Sequence, residues 1–330
     1  MAKNHDLRGN LERAWHNFGV SQEGSLRGQQ RPKAALVSVV IPCYNQAHFL
    51  GEAIESVLAQ SYPHFEIIVV DDGSTDNTSE VAARYPEVRL VSQDNLGLAA
   101  ARNAGLWRSQ GEYMVFLDAD DRLLPEALKV GVECLEAHPE CAFVFGYCNS
   151  IADDASPLPT LHCPRVEGDQ YLALLRRCYI WPPAVVMYRH SVFEAVGAFD
   201  ASVSAAADYD MYLRIARRFP ICNHEKVVVE YRVHGTSMNH NFALMLKSTL
   251  AVLHSQRKYA KGNKQYEEAI EEGIRASQDY YGGRMARKVQ AHTRKGEWKQ
   301  GIRSLLVLVR LHPRVFARVL RRLAPRTRAG

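Results

Sequence analysis

The chain has 330 residues, 47% of them hydrophobic and 23% charged, so it can bury a sizeable core and is not disordered as a whole. Its net charge of +5 is unevenly distributed, because residues 284–330 carry 14 Lys/Arg and one acid. The rest of the chain is therefore acidic, which argues against a nucleic-acid-binding core and against nucleic acid as a partner.

Targeting signals are not evident in the sequence. The longest aliphatic run near the C-terminus, Leu305–Val309, is far shorter than the roughly 20 residues of a spanning helix, and the polar N-terminus lacks the apolar core of a signal peptide. The seven cysteines are scattered without a Cys-x-x-Cys pair, which indicates reduced, mostly buried thiols and no zinc site. We expect a cytoplasmic protein.

Residues 1–33 are polar and aperiodic, and we predict a flexible arm there. Order is expected to begin with a repeated strand–helix alternation, which is typical of a parallel sheet built from βαβ units. Strands are predicted over 36–41, 65–70, 88–91 and 113–117, and helices over 47–60, 76–85 and 97–108. The fold class is therefore α/β, with a Rossmann-like, mostly parallel central sheet flanked by helices.

The second half is less regular. We predict helices over 126–138, 191–196 (ended by Gly197) and 208–219, strands over 142–147, 184–188 and 226–233, and a loop over 151–166. Beyond residue 236 the pattern is helical almost throughout. The predicted domains are the arm 1–33, a catalytic domain 34–240 and a helical, basic C-terminal extension 241–330.

Polar residues follow three of the predicted strands: Tyr44-Asn45, Asp71-Asp72 and Asp118-Ala119-Asp120. In parallel sheets the ligand crevice lies beyond the carboxyl ends of the strands, so these groups predict one site. Turn propensity would explain a single such ending, although three in register favour a site. Asp118 and Asp120 are expected to converge on a divalent cation, Mg²⁺ or Mn²⁺.

Four blocks resemble family 2 glycosyltransferases: VVIPCYN (39–45), VVDDGSTD (69–76), NLGLAAARNAG (95–105) and GEYMVFLDADD (111–121). A weaker resemblance continues through residues 196–200, 208–210 and 231–234. The resemblance implies a GT-A fold and an inverting, metal-dependent transfer of a sugar from a nucleotide-diphosphate sugar to a hydroxyl. The acceptor would be a carbohydrate, a lipid-linked sugar or another hydroxyl compound, and UDP is the favoured nucleotide.

The resemblance also implies roles for individual residues. Pro42, Tyr44 and Asn45 would line the nucleotide pocket, and Asp72 would accept a hydrogen bond from the base. Asp118 would face the ribose or the metal, while Asp120 and His234 would hold the metal. The base would be Asp208, because Ala207 replaces the first acid of the family's usual pair.

Other interpretations stay open for several of these residues. Asp208 could cap the helix that follows it, Asp121 could do the same for its own helix, and His234 could be an ordinary surface histidine. Arg102 could reach a phosphate or pair with a carboxylate. Three alternative functions stay open: a non-catalytic nucleotide-sugar-binding scaffold, a processive polysaccharide synthase and a nucleotidyltransferase. A processive synthase normally has spanning helices and a Gln-x-x-Arg-Trp block, and a nucleotidyltransferase normally has a Gly-rich phosphate loop after its first strand. This sequence lacks all of these features.

The tail has a pattern of its own. In residues 313–323 the apolar side chains fall on one helical face, and arginines fall on the other. Such a helix predicts contact with an anionic membrane surface, so the protein would be peripheral at the inner face of the cell membrane. A helix docked on its own domain is the alternative.

Overall fold

The computed structural model describes residues 34–160, 165–235 and 241–294. Its strands are β1 (Val37–Cys43), β2 (Phe65–Asp72), β3 (Val88–Gln93), β4 (Tyr113–Phe116), β5 (Arg122–Leu123), β6 (Phe143–Ile151), β7 (Pro157–Leu158), β8 (Val186–Arg189) and β9 (Ile221–Arg232). Its helices are α1 (Ala47–Leu58), α2 (Thr78–Ala82), α3 (Leu98–Arg108), α4 (Ala127–Ala137), α5 (Gln170–Arg176), α6 (Val192–Val196), α7 (Ala207–Ala216), α8 (Phe242–Ala260) and α9 (Lys264–Arg294). Two 3₁₀ turns span Pro183–Val185 and Ala201–Ala206.

One sheet contains these strands in the order β3-β2-β1-β4-β8-β6-β9-β5, and β7 pairs with β6. The first four strands are parallel, as predicted, so their carboxyl ends share one edge. Beyond β4 the sheet is mixed, because β8 runs antiparallel to both β4 and β6, whereas β9 runs parallel to β6. The predicted α/β class is confirmed, and every antiparallel pair includes a strand from the irregular second half.

The core strands are buried on both faces, which explains their unbroken aliphatic sequence. Every residue of β1 and of β4 is buried. Helix α3 lies so close to β1 that a Cβ on Gly105 would come within 2.2 Å of Val40 Cγ1. Only glycine allows this approach, so the close packing of α3 on the sheet depends on the last residue of the block 95–105.

Several elements differ from the sequence prediction. Helix α5 was not predicted, although Asp169 signals its start by accepting a hydrogen bond from the Leu172 amide (2.9 Å). Strand β9 begins at Ile221, five residues before the predicted start, because its first half pairs with β6. Strand β4 ends at Phe116, so the acidic residues that follow lie in a turn and not on a strand.

The helical prediction beyond residue 236 holds for α8 and α9, which pack against the preceding part of the chain. A Cβ on Gly273 in α9 would lie 2.1 Å from the Leu175 carbonyl oxygen, and Tyr171 bonds Gln256 of α8 (3.1 Å). Within the described ranges no helix combines the length and apolar character needed to cross a membrane. The predicted arm 1–33 and basic helix 313–323 lie outside those ranges.

The cysteine prediction needs one correction. Cys141 and Cys222 form a disulfide, although the sequence suggested reduced thiols throughout. The pairing follows from the sheet, because β6 and β9 are neighbours in parallel register, with Val144 opposite Cys222. Cys43 is a buried thiol, as expected.

Candidate active site

The loops after β1 and β2 are tied to each other by side-chain hydrogen bonds. The Asn45 amide donates to Ser74 Oγ (3.0 Å), and Asn45 Oδ1 accepts from the Thr75 amide (2.8 Å). Asp76 accepts from the Ala47 amide at the start of α1 (3.0 Å). These hydrogen bonds hold the two loops together at the carboxyl edge of the sheet, and we call residues 44–47 and 73–76 the nucleotide cradle.

Two of the predicted nucleotide residues, Pro42 and Tyr44, differ in accessibility. Pro42 is buried within β1, opposite Val70 of β2. Tyr44 is 48% exposed at the edge of the cradle, where its ring is free to contact a planar ligand. Asn45 adopts a positive φ of 54°, a conformation that asparagine tolerates better than most residues.

Asp72 binds the start of the β3–α3 connection. Its Oδ1 accepts hydrogen bonds from the Leu96 amide (2.9 Å) and Gln93 Nε2 (2.7 Å), and its Oδ2 accepts from the Gly97 amide (2.8 Å). A carboxylate offers about four acceptor positions, so one remains for a ligand. The hydrogen bond predicted from the base to Asp72 thus stays a prediction. The structure shows in addition that Asp72 holds the β3–α3 connection in place.

Asp118 is paired with a buried cation. Arg102 Nη2 lies 2.8 Å from Asp118 Oδ1, and the Arg102 side chain is only 3% exposed. Burial raises the pKa of the Asp118 carboxyl, Arg102 opposes the rise, and the neighbouring charges of Asp120 and Asp208 add to it. Of the two readings of Arg102, carboxylate pairing is therefore the one observed.

Asp208 lies close enough for its charge to raise the pKa of the Asp118 carboxyl. It lies in the first turn of α7, where the N-cap position belongs to Ala206 and not to Asp208. The capping interpretation of Asp208 is therefore wrong. Asp210 points elsewhere and binds Arg214 (2.7 Å), whose guanidinium bonds the carbonyl oxygens of residues 196–198.

Asp120 and His234 are brought together from distant parts of the chain. Asp120 Oδ2 lies 2.7 Å from His234 Nε2 and 3.2 Å from Gln46 Nε2. His234 is buried beside the Phe49 ring, with ring centroids 5.3 Å apart. The hydrogen bond with Asp120 raises the pKa of the His234 imidazole. His234 is thus a buried partner of Asp120 and not an isolated surface histidine.

Asp121 and Arg232 meet next to the Asp120–His234 contact, although the sequence analysis gave neither residue a role in the site. Asp121 is buried and accepts a hydrogen bond from the Arg232 amide (2.9 Å), so it does not cap a helix. Burial, with the charges of Asp120 and Asp118, raises the pKa of the Asp121 carboxyl well above its usual range. The one available signal was the motif at 231–234, which places an arginine two residues before the histidine.

The donor set of the acidic turn fits a hard divalent cation. Asp120 offers a carboxylate oxygen and His234 an imidazole nitrogen, and the contact between them brings both ligands to one point. Asp121 Oδ2 is buried and makes no hydrogen bond to any described residue. A cation would reduce the repulsion between the neighbouring carboxylates of Asp118, Asp120 and Asp121. Its further ligands would come from a bound phosphate group.

Comparison with known proteins is consistent with this geometry. Residues 38–197 match the model of "Glycosyl transferase family 2". The putative teichuronic acid biosynthesis glycosyltransferase TuaG of Bacillus subtilis is 32% identical over 214 residues, covering 62% of this chain and 82% of TuaG. Uncharacterized glycosyltransferases of Rickettsia felis and Rickettsia conorii are 31% and 33% identical, and the chain spans only 33% and 36% of their lengths.

Solved structures share the fold at low identity. TarS 1–349 of S. aureus in complex with UDP-GlcNAc superposes with a TM-score of 0.62 at 18% identity, covering 84% of this chain and 82% of that one. The mannosyltransferase PcManGT of Pyrobaculum calidifontis, in complex with GDP-Man and Mn²⁺, superposes with a TM-score of 0.58 at 18% identity, covering 96% and 87%. The GT-A fold expected from the sequence is confirmed.

Proposed function

This chain belongs to glycosyl transferase family 2, and from that premise we propose that it moves one sugar from a nucleotide-diphosphate sugar to an acceptor hydroxyl. The transfer is inverting and metal-dependent, and it serves polysaccharide or glycolipid assembly. The observation that carries the proposal is the 2.7 Å contact between Asp120 and His234. It joins the carboxyl end of β4 to the end of β9 at the edge where the nucleotide cradle lies.

The donor is held by the braced loops after β1 and β2. Tyr44 and Asn45 contact the base and ribose, Asp72 uses its remaining acceptor position, and Asp118 faces the ribose. UDP is the favoured nucleotide, and UDP-GlcNAc in the TarS complex supports that choice. GDP-Man in the PcManGT complex makes GDP the second choice.

Asp120 and His234 would hold Mg²⁺ or Mn²⁺, and the Mn²⁺ in the PcManGT complex supports a metal in this fold. When bound, the cation would offset the negative charge that develops on the leaving diphosphate. Asp121 and Arg232 keep the acidic turn in place, and Gln46 orients the Asp120 carboxylate through its hydrogen bond.

Asp208 is the proposed base. An inverting displacement needs a carboxylate on the acceptor side of the anomeric carbon, which takes the hydroxyl proton as the new bond forms. Asp208 lies in the first turn of α7, and its charge acts on the pKa values of Asp118 and Arg102.

The acceptor class follows from relatives and is part of the proposal. TuaG is named for teichuronic acid biosynthesis, and a chondroitin synthase of Escherichia coli is 28% identical over 207 residues. Both names point to sugar polymers. Contact of the tail with an anionic membrane surface would bring the enzyme to a lipid-linked acceptor, and it stays a prediction because residues 313–323 lie outside the described ranges.

The decisive experiment is calorimetric titration of the protein with UDP, GDP, dTDP and CMP, each with and without Mn²⁺. We expect one nucleotide to bind in a metal-dependent manner, and Asp120→Ala to abolish the metal dependence. Glu87→Gln removes an exposed carboxylate at the opposite end of β3 and should leave binding unchanged. Absence of metal-dependent binding for all four nucleotides would overturn the mechanism and favour a non-catalytic scaffold.

A further inference from the structure

A second cluster of metal-ligating side chains lies away from the active site, at the end of α4. His138, Glu140 and Cys222 each offer a ligand atom, and these atoms lie within 4.8 Å of one another. His138 Nδ1 is 3.4 Å from Glu140 Oε1. Cys141, the disulfide partner of Cys222, has its Sγ 3.9 Å from the same Glu140 oxygen.

The backbone holds these four side chains together without help from a ligand. The Cys141 amide donates to the His138 carbonyl oxygen (3.0 Å), closing a tight turn that has Pro139 at its second position. The Ala142 amide donates to the Pro220 carbonyl oxygen (2.9 Å), which fixes the turn beside the start of β9. The Cα atoms of Cys141 and Cys222 are 6.2 Å apart, across 81 residues of sequence.

We propose that reduction of the Cys141–Cys222 disulfide opens a tetrahedral site for a borderline divalent cation, Zn²⁺, with Cys141, Cys222, His138 and Glu140 as its ligands. Two thiolates, an imidazole and a carboxylate are a ligand set that suits zinc. The site is independent of Asp120 and His234, which offer only hard oxygen and imidazole ligands.

Reduction of the Cys141–Cys222 disulfide requires an external thiol reductant. Two thiols of the reductant are oxidised to a disulfide and supply two electrons and two protons, which convert the Cys141–Cys222 bond into two thiols. Zinc binding then displaces the two thiol protons to solvent. Either state links the end of α4 to the start of β9, through a covalent bond or through the metal.

The surrounding charges also suit a bound cation. Two thiolates and one carboxylate would give the zinc complex a net charge of −1, and the Arg189 guanidinium lies beside it. Arg189 bonds the carbonyl oxygens of Leu135 (2.6 Å), His138 (3.4 Å) and Cys141 (3.0 Å), so it holds the turn and offsets the excess negative charge. The carbonyl end of α4 likewise favours positive charge. His138 and Glu140 are about half exposed, which leaves a path for the metal.

The test is a Co²⁺ titration of the full chain, reduced with a phosphine and freed of metal by a chelator. We expect a thiolate-to-cobalt charge-transfer band at one equivalent, displaced by Zn²⁺ and missing from the oxidised protein. Cys222→Ser should remove or halve the band, whereas Cys134→Ser, on the same helix α4, should keep it. A metal at Asp120 and His234 gives no such band, so the two sites are distinguished.

Two surface variants keep the test decisive if the cysteine variants fail to fold. His138→Gln and Glu140→Gln should each weaken Zn²⁺ affinity by about 10-fold or more, measured against a chromophoric chelator. The absence of a charge-transfer band in the reduced wild type would overturn the proposal. So would an equal band in Cys222→Ser, or unchanged zinc affinity in both surface variants.

Discussion

The guanidinium of Arg232 donates a hydrogen bond from Nε to the main-chain carbonyl oxygen of Asp120, over 2.9 Å. The side chain of Arg232 is fully buried, with Glu52 2.7 Å from Nη2 and the Phe49 ring 4.7 Å from Cζ. Its amide also binds Asp121. The last residue of β9 therefore holds the acidic turn at two points, and His234 follows two residues later.

Arg232→Met should destabilise the protein, because it removes a buried guanidinium that donates to several carbonyl and carboxylate oxygens. We expect the free energy of unfolding to fall by about 2–4 kcal/mol in urea titrations. Arg122→Met is the matched control, since Arg122 binds the same Glu52 but is 27% exposed, and its loss should cost less than about 1 kcal/mol. Equal losses in the two variants would contradict a special role for Arg232.

Asp208→Asn should abolish catalysis while leaving donor binding intact. Loss of a general base lowers kcat/KM by about 10²–10⁴-fold, which an assay of sugar transfer would measure. Asp210→Asn is the contrasting variant on the same helix, because Asp210 braces Arg214 and should affect stability more than turnover. Normal turnover in Asp208→Asn would place the base elsewhere.

His234→Ala should weaken the metal dependence of nucleotide binding. We expect the apparent affinity for Mn²⁺ in the presence of nucleotide to fall by at least about 10-fold, because one of two protein ligands is removed. His254→Ala, on the exposed face of α8, should leave it unchanged. An unaltered Mn²⁺ titration in His234→Ala would show that His234 only orients Asp120.

Arg102→Gln should shift the acidic limb of the pH profile of kcat/KM to higher pH. Arg102 lowers the pKa of the Asp118 carboxyl, so its removal lets that pKa rise further. Asp118 would then be protonated, and unable to accept from the ribose, up to a higher pH. Arg89→Gln removes an exposed guanidinium and should not move the limb; a shift toward lower pH in Arg102→Gln would contradict the assignment.

The C-terminal helices can be tested with two glycines of α9. Gly273→Ala would place a Cβ 2.1 Å from the Leu175 carbonyl oxygen, so it should lower the free energy of unfolding by about 1–3 kcal/mol. At Gly283 a Cβ meets nothing within 4 Å, and alanine there should stabilise by up to about 1 kcal/mol. Similar melting temperatures for the two variants would show that α9 does not pack on α5 as described.

The sequence by itself determined the features that depend on short-range pattern. Alternating aliphatic runs and amphipathic segments predicted strands β1 to β4 and their intervening helices, because a strand buried on both faces needs uninterrupted apolar residues. Parallel strands place their carboxyl ends at one edge, so the grouping of Asn45, Asp72 and Asp118 followed from topology alone.

Only the tertiary structure decided which distant groups meet. His234 reaches Asp120 across 114 residues, and Cys222 reaches Cys141 across 81, through the pairing of β9 with β6. The register of that pairing is a property of the whole sheet and leaves no local periodicity in either segment. The same pairing of β9 with β6 places Arg232 under the acidic turn. Its charged side chain is tolerated in the core because several acceptors surround it.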